Sequence, residues 1–320
     1  MSTSMAGQSG FIKPGSPEHL RLITPSKVPS ILGISRWKSQ RELWLEMAGI
    51  IEPAPITEAK QDDFDYGHAV ELAAREYWLY KTNGGPADGN GWRLSRGEVQ
   101  LRNELLPFDN LATVDLRGSI GSKRRCVEVK TARSLEEWGD DGSGEVPQDY
   151  AAQVMTQMLI TGWHEQADLV LWPQYGKPRI YVVEWDRGVA DWIVERCVAW
   201  VGSLSSNEPP PLDDSVSCYE AMRRLHPDID GSEVEVPPHM ARQVLDWHRE
   251  STGAEKTFRG RKTELLELMG NAKTAVCDGI KVAGRRPARG GSVALVIEAK
   301  NYDALFERHP YPAPRTEEIA

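Results

Sequence analysis

Apolar positions change their period several times along this chain, and each change marks an element. Helical spacing covers Gln40–Ala48 and Phe64–Tyr80, the first closed by Gly49 and the second ending near Asn83-Gly84-Gly85. A shorter helix is predicted over Lys27–Leu32, capped by Thr24-Pro25-Ser26 with Pro at its start. The pattern then shortens to alternation at Glu98–Arg102, Leu111–Leu116 and Arg124–Lys130, which reads as three strands. A glycine-rich charged loop spans Asp140–Glu145. Helical spacing returns over Gln148–Thr161, opened by Pro147 and closed by Gly162. Two further strands, Asp168–Trp172 and Arg179–Trp185, flank a turn at Pro173–Pro178, and a helix from Gly188 to Leu204 follows.

This order predicts an α/β domain, a mixed sheet with helices on its faces. Residues 1–18, rich in Ser, Gly and Pro, read as a flexible leader, and 19–206 as the main domain. The run Asn207-Glu208-Pro209-Pro210-Pro211-Leu212-Asp213-Asp214 breaks the pattern, so 207–237 reads as a linker. Residues 238–320 form a smaller α+β extension: helices at Pro238–Ser251 and Thr257–Ala275, strands at Ala275–Val282 and Ser292–Ala299, and a basic loop at Gly284–Gly291.

Composition narrows the class. Hydrophobic residues make up 40% of the 320, with 11 Trp, enough for a substantial core. The net charge of -9 and pI near 5.4 argue against a protein that coats nucleic acid, but not against an enzyme that concentrates cations at one site. The four cysteines, Cys126, Cys197, Cys218 and Cys277, lie far apart without a C-x-x-C pair, which disfavours a zinc ribbon, an iron–sulfur cluster or a disulfide scaffold. The first ten residues lack the basic and apolar stretches of a signal peptide. The strongest apolar run, Val293–Ile297, is one strand long. A soluble cytoplasmic protein without a membrane partner is expected.

The chemistry centres on Asp115 and on Glu128-Val129-Lys130, with twelve residues between the two carboxylates. Glu128 and Lys130 are two apart, so on a strand they share a face while Val129 points away. Two carboxylates with the Val129 carbonyl make an open, hard-oxygen shell suited to Mg²⁺ or Mn²⁺. Lys130 beside it can orient or deprotonate a water and offset phosphate charge. Alone, Glu-x-Lys is common on solvated strands, so the neighbours decide. Glu71 follows Val70 and precedes Leu72, Ala73 and Ala74; it either reaches solvent or joins a cation site. Gly67 on the same helix permits a close backbone approach. Gln153 and Gln157 share a helical face, as an ordinary polar stripe or as paired amides that position water or DNA. The stretch Arg21–Ser26 leads into a helix N-terminus, a ready anion site. Trp37, Trp44, His68 and His164 read as structural.

Together, Ile23–Val28, Ile31–Ser39, Gly67–Glu71, Ala112–Asp115, Val127–Thr131 and Pro147–Gly162 resemble the YqaJ-type viral recombinase family of phage alkaline exonucleases related to lambda exonuclease. The resemblance runs from Arg21 to Leu204, in order and spacing. It implies a restriction-endonuclease-like core that degrades the 5′ strand of linear duplex DNA, leaving 3′ single-stranded tails for phage-type recombination. By the same resemblance Asp115, Glu128, Val129 and Glu71 hold Mg²⁺ (or Mn²⁺), two ions per site, with Lys130 catalytic and Gln153 supporting. Arg21, Ser26, Thr113 and Gln157 are the implied contacts to the 5′-phosphate and DNA. Val114 stands where the family signature often has proline.

The resemblance also implies linear duplex ends as substrate, a single-strand annealing protein as partner and a homo-oligomer, trimeric among relatives. If the gene is viral, the site of action is the host cytoplasm. Residues Glu255–Lys273 are similar to the tail of some members. Arg285, Arg286 and Arg289 are either a solvated loop or a clamp on phosphates. An endonuclease on the same core, or an inactive DNA-binding adaptor, are the competing readings; retention of Asp115, Glu128, Lys130 and Glu71 weighs against the second.

Overall fold

The computed structural model describes residues 10–85, 91–288 and 292–309, in two compact units divided after Ile229. The N-terminal stretch folds into α1 (Pro17–Arg21), α2 (Val28–Ile31), α3 (Gln40–Met47) and the long α4 (Glu58–Thr82). Half of the stretch read as leader, residues 1–9, lies outside the described residues, while Ser16 caps α1 by accepting from the His19 N–H. Thr24 and Ser26 do not cap α2: its N-cap is Lys27, without a side-chain bond, and Val28, Pro29, Ser30 and Ile31 are all buried. The Lys27 and Val28 N–H groups both donate to Thr24 O, at 2.9 and 3.3 Å.

The strands are β1 (Arg93–Leu94), β2 (Val99–Leu101), β3 (Ala112–Val114), β4 (Leu116–Ile120) and β5 (Lys123–Ala132). After α5 (Gln148–Thr161) come β6 (Gln166–Pro173), β7 (Arg179–Glu184) and α6 (Arg187–Ser206). Among the described residues they make a five-stranded sheet, β1-β4-β5-β6-β7, in which only β5 and β6 run parallel, plus a separate β2-β3 pair. Helix α5 supplies the crossover that a parallel pair requires. The strand expected over Leu111–Leu116 is thus two strands in two sheets, and Asp115 is the residue at the break.

Alternation along β5 sets the faces. Cys126 joins the large core of α2, α3, α5 and α6 residues, whereas Val127 and Val129 pack with Ala74 and Trp78 of α4. Glu128 and Lys130 follow Cys126 onto the α5 side. Helix α5 is buried along most of its length and ends at Gly162, φ 72°, where a residue without Cβ takes the left-handed position and donates its N–H to Met158 O. Gly118 on β4 is the second position that requires glycine: a Cβ there would meet the Trp78 ring at 3.1 Å. At Gly67, by contrast, a Cβ would meet nothing within 4 Å, so the close backbone approach predicted there is not made.

A helix, α7 (Val216–Leu225), occupies part of the stretch read as linker. Cys218 and Ala221 are buried, and Arg224 donates to Glu42 of α3 at 2.5 Å. Proline at 209–211 breaks α6 without ending the packed unit. The second unit carries α8 (Pro238–Met269), one continuous helix where two were predicted, followed by β8 (Thr274–Cys277), β9 (Ile280–Pro287), β10 (Val293–Ile297) and α9 (Tyr302–Arg308). The three strands form a sheet in the order β10-β9-β8. Arg285 and Arg286, expected in a loop, lie in β9 opposite Leu295 and Ala294; Arg289 is outside the described residues. No helix among the described residues is long and apolar enough to cross a membrane.

Candidate active site

Pairing of β4 with β5 places Leu116 opposite Val127, so Asp115, one residue earlier, lies beside Glu128 and Val129. Its Oδ2 accepts the Val129 N–H at 2.9 Å. A backbone amide that parallel pairing leaves pointing across the break thereby fixes the first carboxylate. Val129 thus bonds to Asp115 through its N–H.

Glu128 is only 2% exposed, and each oxygen is occupied. Its Oε1 accepts from Lys130 Nζ and from Gln153 Nε2, each at 2.6 Å, and its Oε2 from Gln157 Nε2 at 2.6 Å. Gln153 and Gln157 are one helical turn apart on α5, which is why both amides reach one carboxylate. Gln157, implied as a DNA contact, is fully buried, with its amide held on Glu128. Gln153 is half-buried beside it.

Charge in this pocket is concentrated. Burial and the neighbouring Glu128 charge hold the Asp115 carboxyl well above its usual range, against the pull of Lys130 and the Val129 N–H. Burial draws the Lys130 ammonium down, but the Glu128 and Asp115 carboxylates outweigh it and raise its pKa above the ordinary value. That direction favours the ammonium form of Lys130. Glu71, half-buried on α4, is raised by burial and by the charges of Glu98 and Glu128, with His68 and Lys130 opposing. It therefore lies within electrostatic reach of the pair, although it makes no hydrogen bond or ion pair among the described residues. Its surroundings are less apolar than its sequence neighbours implied, since Leu72 is 72% exposed.

Tyr150 was not singled out in the sequence. Lys130 Nζ stands 5.1 Å from its ring centre and Arg36 Cζ 5.4 Å from it. Arg36 in turn forks onto buried Asp149 at 2.8 and 2.9 Å and pairs with Glu137, so the block Ser35–Ser39 locks the start of α5.

The remaining positions are dispersed. Arg21 ends α1 in solvent, and exposed Ser26 has its Oγ 3.1 Å from Thr24 Oγ1. Buried Lys27 ties this corner together by donating to the carbonyls of His19, Leu20 and Leu22, each at 2.8 Å. No hydrogen bond or ion pair joins Arg21 or Ser26 to the acidic cluster among the described residues. Thr113 Oγ1 accepts from Gln100 at 3.1 Å. Trp44 is core and donates to Ser203, Trp37 is 72% exposed, and His164 stacks on Trp185.

Residues 17–164 match the family model described as the YqaJ-like viral recombinase domain. Over that span the chain is similar to the YqaJ-like viral recombinase domain. That span holds every site residue expected from the sequence, from Arg21 to Gln157. A protein of Bacillus subtilis (strain 168), named uncharacterized protein YqaJ, is 26% identical over 230 residues, 67% of this chain and 63% of the relative. The match thus spans less than two thirds of that relative. Among solved structures, the alkaline exonuclease LHK-Exo of Laribacter hongkongensis is similar at TM-score 0.42 and 16% identity, covering 59% of this chain and 90% of the other. A putative exonuclease of Eubacterium rectale is similar at TM-score 0.39 and 13% identity, covering 69% and 92%. The first unit has the α/β layout expected from the sequence, a central mixed sheet flanked by helices.

Proposed function

We propose that this chain is a divalent-metal-dependent deoxyribonuclease that digests linear duplex DNA from its ends. The observation that carries the reading is the convergence of Asp115, Glu128 and Lys130 around one hydrogen-bonded pocket. The match of residues 17–164 to the YqaJ-like viral recombinase domain supports a nuclease or recombinase role.

The residues fit a metal. Burial and the neighbouring Glu128 charge raise the Asp115 carboxyl at the sheet break, a conflict that a dication relieves. Their donor atoms are hard oxygens, which favour Mg²⁺ or Mn²⁺ over softer ions. Asp115 and Glu128 would hold the metal, with Glu71 as a further carboxylate and Val129 O as a backbone donor; a two-ion arrangement is part of the proposal. A bound divalent cation supplies Lewis acidity at the phosphate and a more acidic water.

The chain's own residues do the rest. Gln153 and Gln157 fix the Glu128 carboxylate so that its charge is presented in one orientation. Lys130, an ammonium, neutralises charge gathering on the non-bridging phosphate oxygens as water attacks phosphorus and the bond to the 3′-oxygen breaks. Arg21, Ser26 and Thr113 are assigned to the 5′-phosphate end, which makes the direction 5′ to 3′ and the product a 3′ single-stranded tail suited to an annealing partner.

The test is digestion of end-labelled linear duplex with Mg²⁺, comparing 5′-phosphoryl and 5′-hydroxyl ends, beside covalently closed circles. Loss of label from linear DNA with circles untouched supports the reading. Cutting of closed circles makes it an endonuclease, and binding without cleavage makes it an adaptor.

A further inference from the structure

We infer that the hairpin tip of the C-terminal unit is a second metal site, of zinc type, built from Cys277, Asp278 and His309. The site is independent of the nuclease reading and differs from it in donor chemistry.

Local geometry places the three donors. Cys277 pairs with Ile280 at the end of β8, so Asp278-Gly279 is a two-residue connection. Both take positive φ, 47° and 79°, the combination that Asp-Gly favours in a tight hairpin. That turn holds the Cys277 and Asp278 side chains at one end of the sheet. His309 caps α9, donating its backbone N–H to Leu305 O at 2.8 Å, and Arg308 donates to the Asp278 carbonyl at 3.2 Å. The last turn of α9 is thereby fastened to the hairpin tip. His309 Nε2 lies 2.8 Å from Asp278 Oδ2.

One ligand atom from each of the three residues falls within 4.8 Å of the others. In a tetrahedral zinc site with bonds of about 2.0–2.3 Å, ligand atoms sit roughly 3.3–3.8 Å apart. Closing that difference takes about 1 Å of side-chain rotation, which the exposed Asp278 and His309 are free to make. The simpler account, a turn residue paired with a surface histidine, explains two of the three groups. It leaves out Cys277, which is half-buried at the same tip and makes no side-chain hydrogen bond among the described residues.

Thiolate, imidazole and carboxylate together suit Zn²⁺ and disfavour Mg²⁺, which seeks oxygen alone. Three protein ligands leave a fourth position for water. The site would clip α9 to the sheet, so binding would stabilise this unit.

The test is titration of the full-length, metal-free protein with Co²⁺, followed by absorption. The expected result is one equivalent of Co²⁺ giving tetrahedral d–d bands and a thiolate-to-cobalt charge-transfer band, both displaced by Zn²⁺. Cys277→Ser should remove the charge-transfer band, and His309→Ala should weaken that binding by roughly tenfold or more. Binding to oxygen donors around Asp115 gives no thiolate band, so the two sites are read separately. His309→Ala alters an exposed helix end and leaves the fold intact, so it remains informative if Cys277→Ser folds poorly. A titration without a thiolate band, or a band that persists unchanged in both variants, overturns the assignment.

Discussion

The Gln157 amide nitrogen lies 2.6 Å from Glu128 Oε2, at a depth where Gln157 is 0% and Glu128 2% exposed. A buried carboxylate needs its hydrogen bonds, because water cannot replace a lost donor there. Gln157→Leu therefore costs about 1–3 kcal/mol of stability. It also lowers cleavage by roughly 10–100-fold, the scale of losing a group that orients a metal ligand. Gln157→Glu places a second carboxylate against the first and is worse on both counts. Thermal melts and initial rates on linear duplex check this; full activity in Gln157→Leu would remove the clamp from the proposed mechanism.

Lys130 makes the sharper kinetic case. Its ammonium pairs with Glu128 at 2.6 Å and is not needed to hold Asp115, which is bonded to the Val129 N–H. Lys130→Ala should lower cleavage by roughly 10²–10³-fold while metal-dependent DNA binding persists. Chelation with EDTA should stop the parent enzyme, and Mg²⁺ or Mn²⁺ should restore it. Parental rates in Lys130→Ala, or digestion that survives EDTA, would show that the site assignment is wrong.

How far the sequence reached follows from which forces act locally. Alternation through Arg124–Lys130 and helical spacing through Gln148–Thr161 placed Glu128, Lys130, Gln153 and Gln157 on facing elements, because period alone fixes side-chain direction. The break at Asp115 was invisible: Leu111–Leu116 is continuously β-rich, and which sheet each half joins depends on distant partners, Val99–Leu101 for one and Lys123–Val127 for the other. Helix α7 was missed because Pro209–Pro211 precedes it and its burial comes from α3 contacts far away in sequence. Gln157 was assigned to DNA because a polar residue at helical spacing looks solvated until the strand it faces is known. Tyr150 was passed over for the same reason: its role depends on Arg36 and Lys130 arriving from elsewhere.

Arg21 is the test of polarity. It is exposed at the end of α1, near Ser26 in sequence, and makes no ion pair among the described residues. Arg21→Ala should slow digestion from 5′-phosphoryl ends by roughly tenfold, the scale of about 1.4 kcal/mol, and leave 5′-hydroxyl ends nearly unchanged. Equal slowing on both ends would make Arg21 a general DNA contact rather than an end reader.

Stability on the α4 face rests on Asp168. This carboxylate, 2% exposed, accepts from Trp78 Nε1 at 2.8 Å, Arg125 Nη1 at 2.9 Å and Gln166 Nε2 at 2.7 Å. Arg125 also stacks over Trp92 at 4.4 Å, so one acid organises two tryptophans. Asp168→Ala leaves a partly buried guanidinium and a buried indole N–H unpaired, and should cost roughly 3–5 kcal/mol. Asp168→Asn, which keeps an acceptor, should cost less. Denaturation followed by tryptophan fluorescence measures both, and a loss below about 1 kcal/mol in the alanine variant would mean the network is relaxed by solvent.

Thiol chemistry offers a reading on the core that is independent of cleavage. Burial pushes Cys197 up to about 12 from an ordinary 9.0, and Cys126 likewise up to about 12. A thiol so raised is neutral at pH 8, and the thiolate is the form that alkylates. Iodoacetamide should therefore modify native protein at half-buried Cys277 while Cys126, Cys197 and Cys218, all buried, stay unlabelled until the chain unfolds. The same shift sets a pH slope. Because the folded-state pKa of Cys197 lies above its unfolded value, its neutral thiol favours the fold fully below about 9, and that contribution is lost as pH rises toward about 12. Cys197→Ala should flatten the decline in melting temperature across that alkaline window relative to the parent. If mass spectrometry finds Cys197 alkylated in native protein at pH 8, or if the alkaline slope is unchanged in the variant, the packing of α6 against the core is looser than described here.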